Sequence, residues 1–193
     1  VLVADGSGAL GGPIRFLTLG GNGGGEEPRG IVVADVNEDG EPDVITANRA
    51  SHDITILAGV GGGATFDAPE VISVLEGDAG EAPWGVGVAD LNDDGIVDII
   101  TSNTTTDDLS VLLGQGGGSF SSALTYESRA GYTGENPRAL ALGDVNGDGS
   151  VDVVTANEDS SNITVTAGLG DGTLAPAQTV TCGDEPRGVV GAD

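Results

Sequence analysis

Oxygen-bearing side chains fall at positions 1, 3, 5 and 9 of three nine-residue segments: Asp35, Asn37, Asp39 and Asp43; Asp90, Asn92, Asp94 and Asp98; Asp144, Asn146, Asp148 and Asp152. A Gly follows position 5 each time, at Gly40, Gly95 and Gly149. A short loop wraps a hard cation in this way, with alternate residues turning their oxygens inward and Gly permitting the sharp bend. The backbone carbonyl of position 7 (Glu41, Ile96 or Ser150) completes each expected donor set. An all-oxygen set without His or Cys suits Ca²⁺ better than a transition metal, so about three Ca²⁺ ions are expected. Acidic turns with no ion would leave converging carboxylates to repel one another. A catalytic centre is usually built once, whereas a structural clip can be built into every repeat.

The elements that must position these loops can be read from their flanks. An EF-hand needs a bidentate Glu at position 12, and this chain has Thr46, Thr101 and Thr155 there. The run after each loop is short and β-branched: residues 44–48, 99–103 and 153–157 read as strands. Position 1 recurs at Asp35, Asp90, Asp144 and Asp193, and similar approaches precede it at 27–35, 82–90, 136–144 and 185–193. Third strands are expected at 54–57, 109–113 and 163–166, each succeeded by a Gly-rich turn and a fourth strand. Four short strands in roughly 50 residues is the length of one propeller blade. The expected fold is all-β: a partial β-propeller of four-stranded antiparallel blades, with the cation loop between the first and second strands. The repeat boundaries divide 1–193 into the end of a blade (1–26), three blades (27–81, 82–135 and 136–184) and the start of another (185–193).

The three Asp-x-Asn-x-Asp-Gly-x-x-Asp loops, the Asp-Val-Val-Thr-Ala-Asn strand at 152–157 and the turn at 111–120 resemble the FG-GAP and VCBS repeat family, the blades of integrin α-subunit heads and of many secreted bacterial proteins. The resemblance covers essentially the whole chain. It implies that the loop between strands one and two of a blade binds Ca²⁺ through Asp35, Asn37, Asp39 and Asp43 and the matching residues of the other two loops. It implies no particular ligand, because that family includes adhesion modules, lectins and domains attached to enzymes.

The formal charge is −25, from 31 acids against six arginines and no lysine. A surface this acidic argues against nucleic acid and anionic membranes as partners. No apolar run is long enough to span a membrane, so no membrane insertion is expected. The single Cys182 excludes an intrachain disulfide and reads as a small strand-end or core residue. Calcium loops of moderate charge suit millimolar external Ca²⁺, which places the expected location outside the cell, secreted or at the cell surface. Third and fourth strands are expected at 1–4 and 14–18, and a first strand at the far end, so self-assembly or pairing with other parts of a longer chain is expected.

Other constellations carry little. Gly6-Ser-Gly-Ala-Leu-Gly11 comes after a strand, but no βαβ unit continues from it, and equivalent turns recur at 59–63, 114–118 and 168–172. Gly20–Gly25 lacks the Lys-Ser/Thr of a phosphate loop. His52, the only His, reads as a solvated turn residue rather than a base. Asn103-Thr-Thr105 and Asn162-Ile-Thr164 fit the N-glycosylation pattern. Two features remain as candidate recognition surfaces. Arg29, Trp84, Arg138 and Arg187 precede the first strands on one side of the array, where they either bind a ligand or lock blades together. The polar loops 49–53, 104–108 and 158–162 differ among blades and would form a variable face. The resulting expectation is a non-enzymatic, calcium-stabilised segment serving in adhesion, in carbohydrate or protein binding, or in assembly of a surface structure. The alternatives are an accessory propeller of a secreted polysaccharide-degrading enzyme and a subunit of a surface filament or ring.

Overall fold

A computed structural model describes residues 25–61, 65–75, 81–128 and 135–191. The strands expected at 1–4 and 14–18, and the Gly-rich segments 6–11 and 20–24, lie outside these residues. Fourteen strands run in chain order: β1 (Pro28–Ala34), β2 (Asp43–Asn48), β3 (Asp53–Leu57), β4 (Gly59–Val60), β5 (Thr65–Phe66), β6 (Glu70–Ser73), β7 (Pro83–Ala89), β8 (Asp98–Asn103), β9 (Asp108–Leu112), β10 (Leu124–Glu127), β11 (Pro137–Gly143), β12 (Asp152–Asn157), β13 (Asn162–Thr166) and β14 (Gln178–Thr181). They form three four-stranded antiparallel sheets, β1-β2-β3-β6, β7-β8-β9-β10 and β11-β12-β13-β14, plus the small β4-β5 ribbon. Each sheet is one blade of a β-propeller, and the strand after each Asp loop is the second of its blade. The Gly-rich segments are hairpins: Gly59 pairs with Phe66, Gly114 with Phe120 and Gly168 with Leu174.

The second strands are buried on both faces, which is why they are apolar without alternation. Successive residues serve opposite interfaces. Ile99 joins Val36, Ile45, Ile54 and Leu112 in a core between the first two blades. Its neighbour Ile100 joins Leu91, Leu109, Val111 and Val153 in a core between the second and third. Truncating either Ile to Ala would cost about 2–5 kcal/mol. The hydrophobic cores therefore lie between blades.

The first strands β1, β7 and β11 are neighbours. They approach so closely that a side chain at Gly30 would put its Cβ 2.5 Å from the carbonyl oxygen of Trp84. Pairing in all three first strands slips by one residue just after the proline, between Pro28 and Gly30, Pro83 and Gly85, and Pro137 and Ala139. The residue inside each bulge is Arg29, Trp84 or Arg138. The residue before each proline has positive φ: Glu27 at 54°, Ala82 at 51° and Asn136 at 53°. Glu185 keeps this kink at 48°, yet 186–191 contains no strand, unlike the first strand expected there. Val189, Val190 and Gly191 instead border a cavity against β11.

Candidate functional site

The Asp loops close one end of the blades. In the first loop, the Asp35 carboxylate accepts from the N–H groups of Asp39 (3.2 Å) and Gly40 (2.8 Å). Asn37 Oδ1 accepts from Asp39 N–H at 2.9 Å, and Asp39 Oδ1 accepts from the Glu41 N–H at 2.8 Å. The second loop repeats these bonds through Asp90, Asn92 and Asp94, and the third through Asp144, Asn146 and Asp148. Each turn is thus folded around its own oxygens. The position-7 residues Glu41, Ile96 and Ser150 enter the bonding as N–H donors to position 5.

Position 9 behaves differently. Asp43, Asp98 and Asp152 are fully buried, and each clamps two backbone amides. Asp98 accepts from Leu91 N–H at 2.8 Å and from Gly114 N–H at 2.7 Å. Asp43 holds Val36 and Gly59 in the same way, and Asp152 holds Val145 and Gly168. This clamp pins the loop to the hairpin after the third strand, and side chains at Gly59, Gly114 or Gly168 would overlap the preceding loop. The sixteen-residue Asp-to-Gly spacing (43 to 59, 98 to 114, 152 to 168) was its available sequence signal. Burial raises the Asp98 carboxyl above the ordinary range, and neighbouring Asp94 and Asp90 push it further against its two N–H donors. The exposed Asp144 is held below that range by the N–H groups of Gly149 and Gly147.

Among the described residues, no three His, Cys, Asp or Glu side chains are gathered into a ready-made cage. The donor set nonetheless fits a hard cation. A carboxylate oxygen accepting one N–H keeps a further lone pair for an ion, and the side chains at positions 1, 3, 5 and 9 of each loop all offer oxygen. The first two loops also rest on the next blade. Gly172 N–H donates to the Leu91 carbonyl at 3.0 Å, and a side chain at Gly118 would meet Asn37 Cβ at 3.2 Å. The apolar position-2 residues Val36 and Leu91 are buried in the interblade cores, whereas Val145 of the third loop is 57% exposed.

The opposite end carries Arg29, Arg49, Arg138 and Arg187. Trp84 lies between two guanidinium groups, Arg29 at 4.7 Å and Arg138 at 3.8 Å from its ring centroid. Glu27 pairs with Arg29 (3.2 Å) and Arg49 (3.1 Å), which hold its carboxyl below the ordinary range. Glu158, nearly buried, joins Arg138 (2.5 Å) and Arg187 (2.6 Å). Arg29, Trp84 and Arg138 therefore form one row, because the bulge of each first strand turns an extra residue out of the sheet alternation. Arg187 extends it through Glu158, the partner it shares with Arg138. The guanidinium groups occupy the positions where a sugar would stack on Trp84.

A further set of contacts joins the blades at this end. His52 Nδ1 accepts from the Ala82 N–H at 3.0 Å, Asp107 Oδ1 from Asn136 N–H at 2.8 Å, and Ser161 Oγ from Glu185 N–H at 3.3 Å. His52 is thus a half-buried latch to the next blade rather than a solvated turn residue. Its equivalence to Asp107 and Ser161 was hidden because the three side chains share only acceptor ability. Asn103 and Asn162 are buried, with the Asn103 amide donating to Asp108, Ser110 and Glu81 and Asn162 accepting from Asn157, so neither is open to glycosylation in the folded chain. Cys182 is exposed, just after β14.

The model of the FG-GAP-like repeat matches residues 35–101 and 90–155. The chain belongs to the FG-GAP-like repeat family. A search of curated protein sequences gives no match. Among solved structures, the chain is similar to an Agrocybe aegerita lectin described for specific recognition of non-reducing terminal N-acetylglucosamine, with 25% identity and a TM-score of 0.54. The likeness covers 78% of this chain and 38% of the lectin. The Photorhabdus luminescens Tc holotoxin pore is also similar, at 19% identity and a TM-score of 0.47, over 85% of this chain and 7% of that one. This FG-GAP-like chain thus spans well under half the length of either structure.

Proposed function

We propose that this chain is a calcium-braced, non-enzymatic β-propeller module of an extracellular or surface protein that binds a glycan through the face opposite its Asp loops. The carrying observation is the division between the ends. One end repeats the same oxygen donors in every blade, as a brace requires. The other gathers different side chains around a cavity of about 340 Å³, within the roughly 300–1,000 Å³ range of small-ligand sites. Likeness to an N-acetylglucosamine-recognising lectin supports a glycan as the ligand class.

Asp35, Asn37, Asp39 and Asp43 would hold the first ion, with the matching residues of the other loops holding the second and third. A bound Ca²⁺ supplies positive charge that offsets the converging carboxylates. The chain's own contribution is the backbone bonding that orients positions 1, 3 and 5, and the position-9 clamp that ties each loop to its blade. His52 is engaged with the Ala82 amide and serves blade docking. Millimolar external Ca²⁺ matches loops of this charge, which supports an extracellular location.

The test combines calcium content by mass analysis with a glycan array probed in calcium and in chelator. About three bound ions and at least one bound glycan class are expected. No bound calcium and an unchanged melting curve in chelator would overturn the brace, and a blank array would overturn the glycan reading.

A further inference from the structure

We propose that the cavity beside Trp84 selects carboxylate-bearing sugars, either uronates or sialates. This rests on the glycan-binding reading and names the class of glycan. The chain carries a net charge of −25 and only six arginines, yet three of them, Arg29, Arg49 and Arg138, line this single cavity. Among the described residues no carboxylate lines it; Trp84, Thr104, Thr105 and Asn136 complete the wall. An anion finds a concentration of guanidinium here that the rest of the described surface does not offer.

The geometry favours the charge of a ligand over its apolar face. Guanidinium groups 4.7 and 3.8 Å from the Trp84 ring centre take up the stacking positions a neutral sugar would use. The same stack holds Arg29 and Arg138 in place, and a planar guanidinium keeps several N–H donors in a fixed fork that matches a carboxylate. Glu27 shares one carboxylate between Arg29 and Arg49, so that pair of cations keeps a surplus of positive charge. Thr104 already donates its hydroxyl proton to the Ala82 carbonyl at 3.0 Å, which leaves its oxygen to accept from a sugar hydroxyl. A space of about 340 Å³ suits one sugar ring. A long polyanion would meet repulsion from the surrounding acids, so a single terminal acidic residue is the fitting ligand.

Titration calorimetry on the calcium-loaded 193-residue chain tests this with digalacturonate, 3′-sialyllactose and the methyl ester of each. At least one acid should bind, and its ester should bind at least about tenfold more weakly, the loss expected for one charge-assisted contact. Arg49→Gln should weaken the acid by a similar factor while leaving the melting temperature unchanged, and Arg29→Gln serves as a second, independent variant. Preference for the uronate or for the sialate identifies the source, and either supports the proposal. Equal binding of acid and ester, unaffected by Arg49→Gln, would overturn it while leaving the glycan reading intact. Failure of all four probes, together with neutral sugars, would overturn both. Binding of a Glu-rich peptide that is sensitive to Arg49→Gln, with no sugar bound, would assign the cavity to an acidic protein partner and overturn the proposal.

Discussion

The two ends of the blades are built on opposite plans. At the Asp-loop end the three blades carry the same donors, the same backbone bonds and the same buried clamp. At the arginine end the equivalent slots are not uniform: Arg29, Trp84 and Arg138 stand in the bulges, and Arg49, Thr104 and Glu158 just after the second strands. Repetition marks chemistry that the fold itself uses. Variation at the other end spans both the cavity wall and the blade latches His52, Asp107 and Ser161, which share only acceptor ability.

Removal of calcium should separate the two ends most strongly. Three sites, each well saturated, would together contribute several kcal/mol, so excess chelator should lower the melting temperature by on the order of 20 °C. Calorimetry checks this, and the arginine end should contribute nothing to the shift. Second in size is the contrast inside one loop. Asp98→Ala strands two buried amides and should cost about 3 kcal/mol even in chelator. Asp94→Ala, at an exposed position, should cost well under 1 kcal/mol in chelator and show its effect only with calcium. Paired denaturation curves in both buffers measure the difference.

A third measurement sharpens the opposite end. Arg138→Ala removes a guanidinium from the Trp84 ring and breaks the pair with nearly buried Glu158, so a loss of about 2 kcal/mol is expected. The sole Trp of the chain should report it as a shift in fluorescence. Smaller again is a pH effect. Burial holds the Asp108 carboxyl above the ordinary range, with Glu81 and Asp107 adding to the rise against the hydrogen bond from Asn103. A raised carboxyl contributes stability below its unfolded pKa of about 3.9, and that contribution is lost as pH rises through the folded value. Asp108→Asn should therefore leave stability at low pH unchanged and raise it by up to about 1 kcal/mol at neutral pH. The third blade already has Asn162 at this position, bonded to Asn157 at 2.7 Å. The smallest expected effect is Arg49→Gln, an exposed pair whose loss should change stability by less than about 0.5 kcal/mol.

Much of the fold was legible because its signals are local and repeated. Short β-branched runs at 44–48, 99–103 and 153–157 come after loops of one pattern, and the structure places second strands there. The oxygen-bearing turn at each loop was legible for the same reason, since its spacing lies within nine residues. The clamp was less so: Asp43 and Gly59 meet only because a hairpin returns to the loop, and the intervening residues carry no mark of it. The Trp84 stack was hidden more deeply. It needs three residues from three blades, and a one-residue bulge in each first strand to aim them. His52 read as a solvated turn residue because its structural equivalents, an Asp and a Ser, share only acceptor ability with it.

The seating of one blade's Asp loop on the next blade's Gly-rich hairpin has a mechanical consequence. The first loop lies on the hairpin at 116–118 and the second on that at 170–172, so each is a hinge pin placed across a joint. An ion in either would stiffen the joint against bending more than it stiffens the blade supplying the ligands. The third loop, with Val145 open to solvent, pins no joint among the described residues. Under load the array would therefore yield joint by joint, and the calcium level around it would set the force at which each one opens.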